Sequence, residues 1–384
     1  MARTCCLRHV EHLYTVFNTV FSVRELSMRF SRFLFVGCLS LFSLPGLAET
    51  VSNLYQVREP VSGQSPEERT RATQAALETL VVRLTGDAKA AQGSALAGLR
   101  KDPQQIISQY GYEAGPPETL LVDFDPGTTE RSLRQAGLAI WGSNRPSILG
   151  WWLLDSTEGS NLVGDGQASA EPLRRAAQHR GLPLRLPLAD LSEQGVGTAK
   201  NLEGTDATPL KEASERYGAD AILAVHAREE AGQWQGKWRL WLGDQREQGT
   251  ATGANSEALA DAVLLAVSQR LAPRFVAKPG AASGLVVQVQ GMTLERYAQL
   301  LNLLEPLGGR LQSVEADRVT FEVMSSADQL RSQLSLAKLQ EVPASEAAAA
   351  VPPPAAPVDA AATPAPAATP LTVPVSAPQL YFRW

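Results

Sequence analysis

The chain has 384 residues, 44% hydrophobic and 20% charged, and its 35 Lys plus Arg against 40 Asp plus Glu give a formal net charge of −5. That length leaves room for two or three domains of ~100–150 residues each. An acidic balance without a long Lys/Arg block argues against nonspecific attraction to nucleic acid or to anionic lipid.

Met28 to Ala48 has the three-part layout of a secretory signal peptide. Arg29 and Arg32 supply the positive start, Phe33 to Leu44 an apolar run, and Pro45 to Ala48 a break ending in small residues. Cleavage is expected after Ala48, with Gly46 and Ala48 at the positions where a small side chain is required. The run is shorter than the ~20 apolar residues of a membrane span, and no later segment comes closer. Residues 1–27 read as a mis-assigned or non-native leader, with Met28 rather than Met1 as the expected start.

A lipid-attachment reading of Phe35-Val36-Gly37-Cys38 is disfavoured, because few apolar residues separate Arg32 from Cys38. Cys5, Cys6 and Cys38 all precede the cut, so the mature chain is expected to lack thiols, disulfides and thiolate metal sites. Removal of residues 1–48 takes away five arginines and two glutamates, moving the formal net charge from −5 to −8. A periplasmic location is the expectation.

The first expected unit, 49–155, opens with a strand around Leu54 and Val57. In Ser65-Pro66-Glu67-Glu68, Ser65 caps a helix, Pro66 takes its first position and Glu68 completes a capping box. Ala76, Leu77, Leu80, Val81 and Leu84 bury one face of that helix, and Gly86 stops it. A helix at Pro103 to Tyr110, a strand at Thr119 to Phe124, a helix at Thr128 to Ala139 and an apolar strand at Ser147 to Leu154 follow.

The middle α/β unit, 170–279, has expected helices at Glu171 to His179, Pro209 to Tyr217 and Ser256 to Leu271. Strands are expected at Ala221 to Ala227, Trp234 to Leu242 and Glu247 to Thr252, giving a small sheet with helices on one face. The third unit, 284–340, reads βαββα, like a ferredoxin-like half-unit. Residues 343–378 are dominated by Ala and Pro and cannot bury a core, so they read as a disordered, extended linker before an aromatic segment at 379–384. The fold class is therefore α+β.

Leu54-Tyr55-Gln56-Val57, the helix ending Leu80-Val81-Val82-Arg83-Leu84-Thr85-Gly86, Gly218-Ala219-Asp220-Ala221-Ile222-Leu223 and the aromatic Leu380 to Trp384 together resemble domain of unknown function 2066, DUF2066, a family of proteobacterial envelope proteins. The resemblance implies an envelope protein and carries no activity. Pro209 to Leu271 is also similar to small α/β domains of periplasmic assembly factors and lipoproteins, which implies a protein-binding module.

No site motif stands out. His179 and His226 are the mature chain's only histidines, too few for a metal site without cysteine, and read as a helix-end and a strand residue. A Ser-His-Asp arrangement has its residue types but no Gly-x-Ser-x-Gly turn. Ser335-Leu336-Ala337-Lys338 lacks the companion elements of penicillin-binding enzymes, and Asp125 or Thr128 reads as a helix cap rather than a calcium ligand. Trp234, Trp238 and Trp241 form the most aromatic patch. Trp238 is expected in the core, while Trp241, beside Lys237 and Arg239, is the candidate for stacking on a sugar.

Leu380, Phe382 and Trp384 alternate, giving one apolar edge, and look like the final segment of outer-membrane β-barrels. A barrel itself is excluded by the absence of serial strands of ~10 residues. The segment either returns as an edge strand on the chain's own sheet, the preferred reading, or adds to a partner's sheet.

The expected function is non-catalytic protein recognition in cell-envelope biogenesis or maintenance, with no cofactor, no metal, no nucleic acid and an envelope protein as partner. The alternatives are an envelope hydrolase with an unrecognised Ser or Asp site, and a glycan-binding module using Trp241. A cleft gathering two carboxylates, or a Ser with His179 or His226, would favour the hydrolase.

Overall fold

The structure is a computed structural model that describes residues 51, 53–276, 283–315, 317–344, 346 and 379–384. The leader, the signal segment with its cut site, Cys38 and all of the Ala/Pro-rich linker except residues 343, 344 and 346 lie outside the described residues. What is described is mixed α and β, built on three sheets.

The first sheet collects β1 (Gln56–Pro60), β2 (Ile107–Glu113) and β3 (Thr119–Phe124) in the order β1-β3-β2, all antiparallel. Across its face lies α1 (Pro66–Thr85), with the short α2 (Ala97–Lys101) before β2 and α3 (Pro126–Gln135) after β3. Val57, Leu120, Val122 and Phe124 alternate toward α1, where Ala76, Leu77, Leu80 and Leu84 close the core. Ser65 caps α1 by accepting from the Glu68 amide at 3.2 Å. The capping box is not completed: the Glu68 carboxylate turns instead to the backbone N–H and hydroxyl of Ser62, at 2.9 and 3.0 Å. Gly86 ends α1 at φ 68°, its amide donating to the Val82 carbonyl.

Two expectations change here. Pro103–Ile106 forms only a 3-10 turn before β2, whose Tyr110-Gly111-Tyr112 pairs with β3 and so takes the extended form over the expected helix. The apolar run expected to complete this unit, β4 (Ile148–Ser156), pairs instead with a strand of the second sheet. Its first six residues are buried without alternation, which suits an interior strand covered on both faces.

In that second sheet β4 is joined by β5 (Gly159–Leu162), the two-residue β6 (Leu184–Arg185), β7 (Ala221–Glu230), β8 (Gln233–Leu242) and β9 (Gln245–Gly253). The order is β5-β4-β7-β8-β9, β4 and β7 being parallel and β6 pairing with β4. Helices cover both faces, where one covered face was expected. One face carries α4 (Ala170–Arg180) and, further along the chain, the long helix after β9; the other carries α5 (Leu191–Val196), α6 (Ala199–Glu203) and α7 (Thr208–Ser214). The first two of these are too short to show a helical period in sequence, whereas α7 and the 3-10 turn after it, Glu215–Tyr217, occupy the helix expected at Pro209 to Tyr217. The long helix is α8 (Ser256–Phe275), capped by Asn255.

The third sheet contains β10 (Ser283–Gln290), then α9 (Leu294–Leu304), β11 (Arg310–Glu315), β12 (Arg318–Ser325), α10 (Ala327–Leu336), β13 (Gln340–Glu341) and β14 (Gln379–Arg383). Its order is β11-β12-β10-β14-β13. The expected βαββα is present, with two further strands on the free side of β10. α10 docks on the second unit, where Leu336 joins the core around α8 and Gln329 donates to the Phe275 carbonyl at 3.0 Å.

Candidate functional site

β14 lies inside a sheet rather than at its edge. It runs parallel to β10 over five residue pairs, from Val286 opposite Gln379 to Gln290 opposite Arg383. On its other side β13 offers only Gln340 and Glu341, helped by the Val342 amide donating to the Tyr381 carbonyl at 2.9 Å. The two-residue period sends Leu380, Phe382 and Trp384 to the helix-covered face, with Val287 and Val289 beside them. Phe382 is 2% exposed, among Leu285, Leu300, Phe321 and Leu334. Trp384 lies under the guanidinium of Arg296, 5.4 Å from the ring centre, and its Nε1 is buried without a hydrogen-bond partner. Tyr381 and Arg383 take the opposite face, where Arg383 pairs with Glu346 at 3.1 Å. The site is a strand-shaped slot, presently filled by the chain's own aromatic segment.

Trp241 does not offer an open indole. It is 7% exposed, packed with Leu202 and Leu210 beneath α6 and α7, and the Arg239 guanidinium sits 5.0 Å over its ring. Arg239 is itself buried and donates to the Asn201 carbonyl at 2.9 Å and to that of Leu202. Stacking on a sugar would require α6 to leave, which removes the basis of the glycan expectation. Trp238 is buried on the opposite face, as its alternation with Leu240 requires.

A second concave site lies between the first and second sheets, with a volume of about 1300 Å³. Glu59 on β1, His179 at the end of α4 and Asp261 on α8 line it, and Thr79 on α1 contacts the first two from behind the wall. The Thr79 hydroxyl donates to Glu59 at 2.7 Å and lies 3.1 Å from His179 Nε2. His179 Nδ1 is 3.7 Å from Asp261 Oδ1, and its Nε2 is 3.5 Å from Glu59.

The order hydroxyl, imidazole, carboxylate is that of a nucleophilic triad, but the electrostatics run against one. Burial pushes the His179 pKa down, yet the nearby Asp261 and Glu59 carboxylates outweigh it, and the net shift is upward. Asp261 is held below its ordinary range, chiefly by the neighbouring His179 imidazole. A raised pKa increases the share of imidazole already carrying a proton, the form that cannot act as a general base. Thr79 is 8% exposed in the interior of α1, its proton committed to Glu59. The group acts as an ionic clasp between the two sheets. Sequence reasoning missed it because its four members come from four distant elements and share no motif.

His226 sits in a closed network on β7, between Asp155 at 2.5 Å and Glu203 at 2.7 Å. Glu203 also takes Lys237 at 2.9 Å and Arg228 at 3.1 Å. Among the described residues no group of three or more His, Cys, Asp or Glu is placed to hold a metal ion. Ser335 donates to the Ser332 carbonyl while Lys338 reaches away to Asp220 at 3.3 Å, so these two share no site. Asp125 caps α3, accepting from the Thr128 amide at 2.8 Å.

Comparison with known proteins corrects the family resemblance. Residues 48–142 match Domain of unknown function (DUF8605), a different family from DUF2066. No curated protein matches the chain. Among solved structures, the LpoB C-terminal domain from Salmonella enterica (Sel-Met) is similar at 15% identity over 33% of this chain and 92% of that one. Its TM-score is 0.20, so that likeness carries no argument about fold or partner.

Proposed function

We propose that this is an exported, periplasmic protein that works by recognising another protein in the cell envelope and carries out no chemistry of its own. The observation behind this reading is β14, an aromatic strand held between β10 and β13 by main-chain pairing and reached only through residues 343–378. Main-chain pairing with alternate side chains in pockets is how strand addition confers affinity and selectivity. The apolar segment before Ala48 supports export, and among the described residues no helix is long and apolar enough to cross a membrane. The three sheets are proposed as three domains, with β4 assigned to the middle one because of its pairing with β7.

The test places a photo-crosslinking amino acid at Glu341, on the strand that flanks β14, and irradiates intact cells. The expected product joins this chain to a second polypeptide through an extended segment. Crosslinks confined to residues 379–384 of the same chain would overturn the reading.

A second reading, an envelope hydrolase, is favoured by one observation, the approach of Thr79, His179 and Asp261 at the cleft. It requires ester or amide hydrolysis that disappears in Thr79→Val. Hydrolysis by the intact chain that survives Thr79→Val would assign any activity elsewhere.

A further inference from the structure

We infer that the slot between β10 and β13 takes an extended segment of another polypeptide with large apolar side chains at alternate positions, the last of them aromatic, laid parallel to β10. Leu380–Trp384 is then a tethered stand-in that such a segment displaces. This rests on the recognition reading above and supplies its ligand class.

Three observations carry it. The first is the division of labour along β14. Leu380, Phe382 and Trp384 all pack on the core of the third sheet, whereas Arg383 is exposed and Tyr381 half-buried on the other face. The slot therefore reads every second residue and leaves those between free to vary. Phe382, with almost no exposed surface, occupies the position that discriminates most.

The second is the misfit of the indole. Trp384 places its Nε1 in a buried position with no acceptor, which costs part of what its ring gains. The pocket by Gly291 and Arg296 thus suits an aromatic ring without a polar atom better than the residue that fills it now.

The third is the connection. β13 and β14 are antiparallel neighbours, and a hairpin would join them through about 2–5 residues. Residues 343–378 intervene instead, Pro- and Ala-rich throughout. Because so long a stretch of sequence separates β14 from its neighbour, its pairing is closed at an entropic cost that a hairpin would not carry, and an incoming segment of equal or better fit competes.

The experiment measures fluorescence anisotropy of a labelled synthetic peptide, Pro-Gln-Leu-Tyr-Phe-Arg-Trp, with the full chain and with its double variant Leu380→Ser, Phe382→Ser, whose own strand is weakened. The variant should bind at least ~10-fold more tightly than the unaltered chain. A peptide with Ser for Phe should lose ~10-fold or more, one with Ser for both Tyr and Arg should bind unchanged, and one with Phe for the final Trp should bind at least as well. The full chain, irradiated with millimolar photoreactive peptide, should be labelled on β10, a readout independent of the variant's folding.

Binding indifferent to the apolar positions would overturn the ligand class and leave strand recognition standing. Failure of both the binding and the labelling would remove the two together. A full chain that sediments as a dimer, dissociated by excess peptide, would assign the slot to a second copy and overturn the proposal.

Discussion

Arg145 is wholly buried, and among the described residues its guanidinium pairs with backbone carbonyls and with no carboxylate. Its guanidinium donates to the carbonyls of Gly142, Arg180, Gly181, Arg83 and Trp141 at 2.7–3.1 Å and lies 4.2 Å from the Trp141 ring centre. Those carbonyls include the ends of α1 and α4, whose orphan acceptors attract a cation. Burial, with Arg83 nearby, lowers its pKa to about 9. Replacement by Met strands several buried acceptors at ~1–3 kcal/mol each, so Arg145→Met should lower unfolding stability by at least ~3 kcal/mol in urea titration. Arg145→Lys should rescue little of this, because an ammonium with three donors cannot span a planar fork of five. His179 gives the pH counterpart. With Glu59 and Asp261 raising its pKa above 6.5 against burial and the Arg180 charge, its contribution is complete below pH 6.5 and fades as pH climbs through the folded value. The stability gap between the unaltered chain and His179→Gln should therefore narrow on going from about pH 6 toward 9; a constant gap would refute the clasp.

The contact between α1 and α8 rests on one missing side chain. Gly86 has φ 68°, and a Cβ added there would come 2.1 Å from the Ala272 Cβ on α8. Gly86→Ala should lose the ~1–2 kcal/mol of the left-handed backbone plus a steric share; Ala272→Gly in the same chain should return the steric share only, a coupling measurable by a double-mutant cycle. At this scale the sequence was readable where a single element carries its own signals. α1 has a cap, a proline and a repeating apolar face, and α10 begins and ends where Ala327 and Leu336 suggest. It was unreadable where partners decide. β2 is a strand because β3 pairs with it, and β4 changes sheets because its apolar run needs cover on both sides. Glu68 reaches Ser62 because the chain folds back there, a turn that a three-residue spacing does not encode. The alternation of Leu380, Phe382 and Trp384 was legible, but their place inside the sheet depends on β10, which no local pattern names.

For the whole molecule, the three sheets differ in how their pairing is closed. Helices cover all three, but the third also depends on a strand brought from the far side of residues 343–378. Deleting Leu380–Trp384 removes the buried Phe382 ring and the partner of β10, so the third sheet should weaken by ~3–5 kcal/mol. Hydrogen exchange should register this as lost protection at β10 and β13, with amides of the β7–β8 pair unchanged. Equal loss in the second sheet would mean that α10, through Leu336 and Gln329, couples the two more strongly than their packing suggests.

With β14 seated, the margin of the third sheet on that side is the two-residue β13, too short to template further strands. With β14 gone and nothing in its place, the margin becomes β10, eight residues of Ser-Gly-Leu-Val-Val-Gln-Val-Gln. A long, β-branched, unpaired edge of that kind invites self-association and fibril growth. Vacancy is thus the hazardous state, and the safe route from one occupant to another is invasion, one end of the incoming strand pairing as the other end of the outgoing strand peels away. The short β13 then guards the chain against aggregation for as long as β14 stays beneath it.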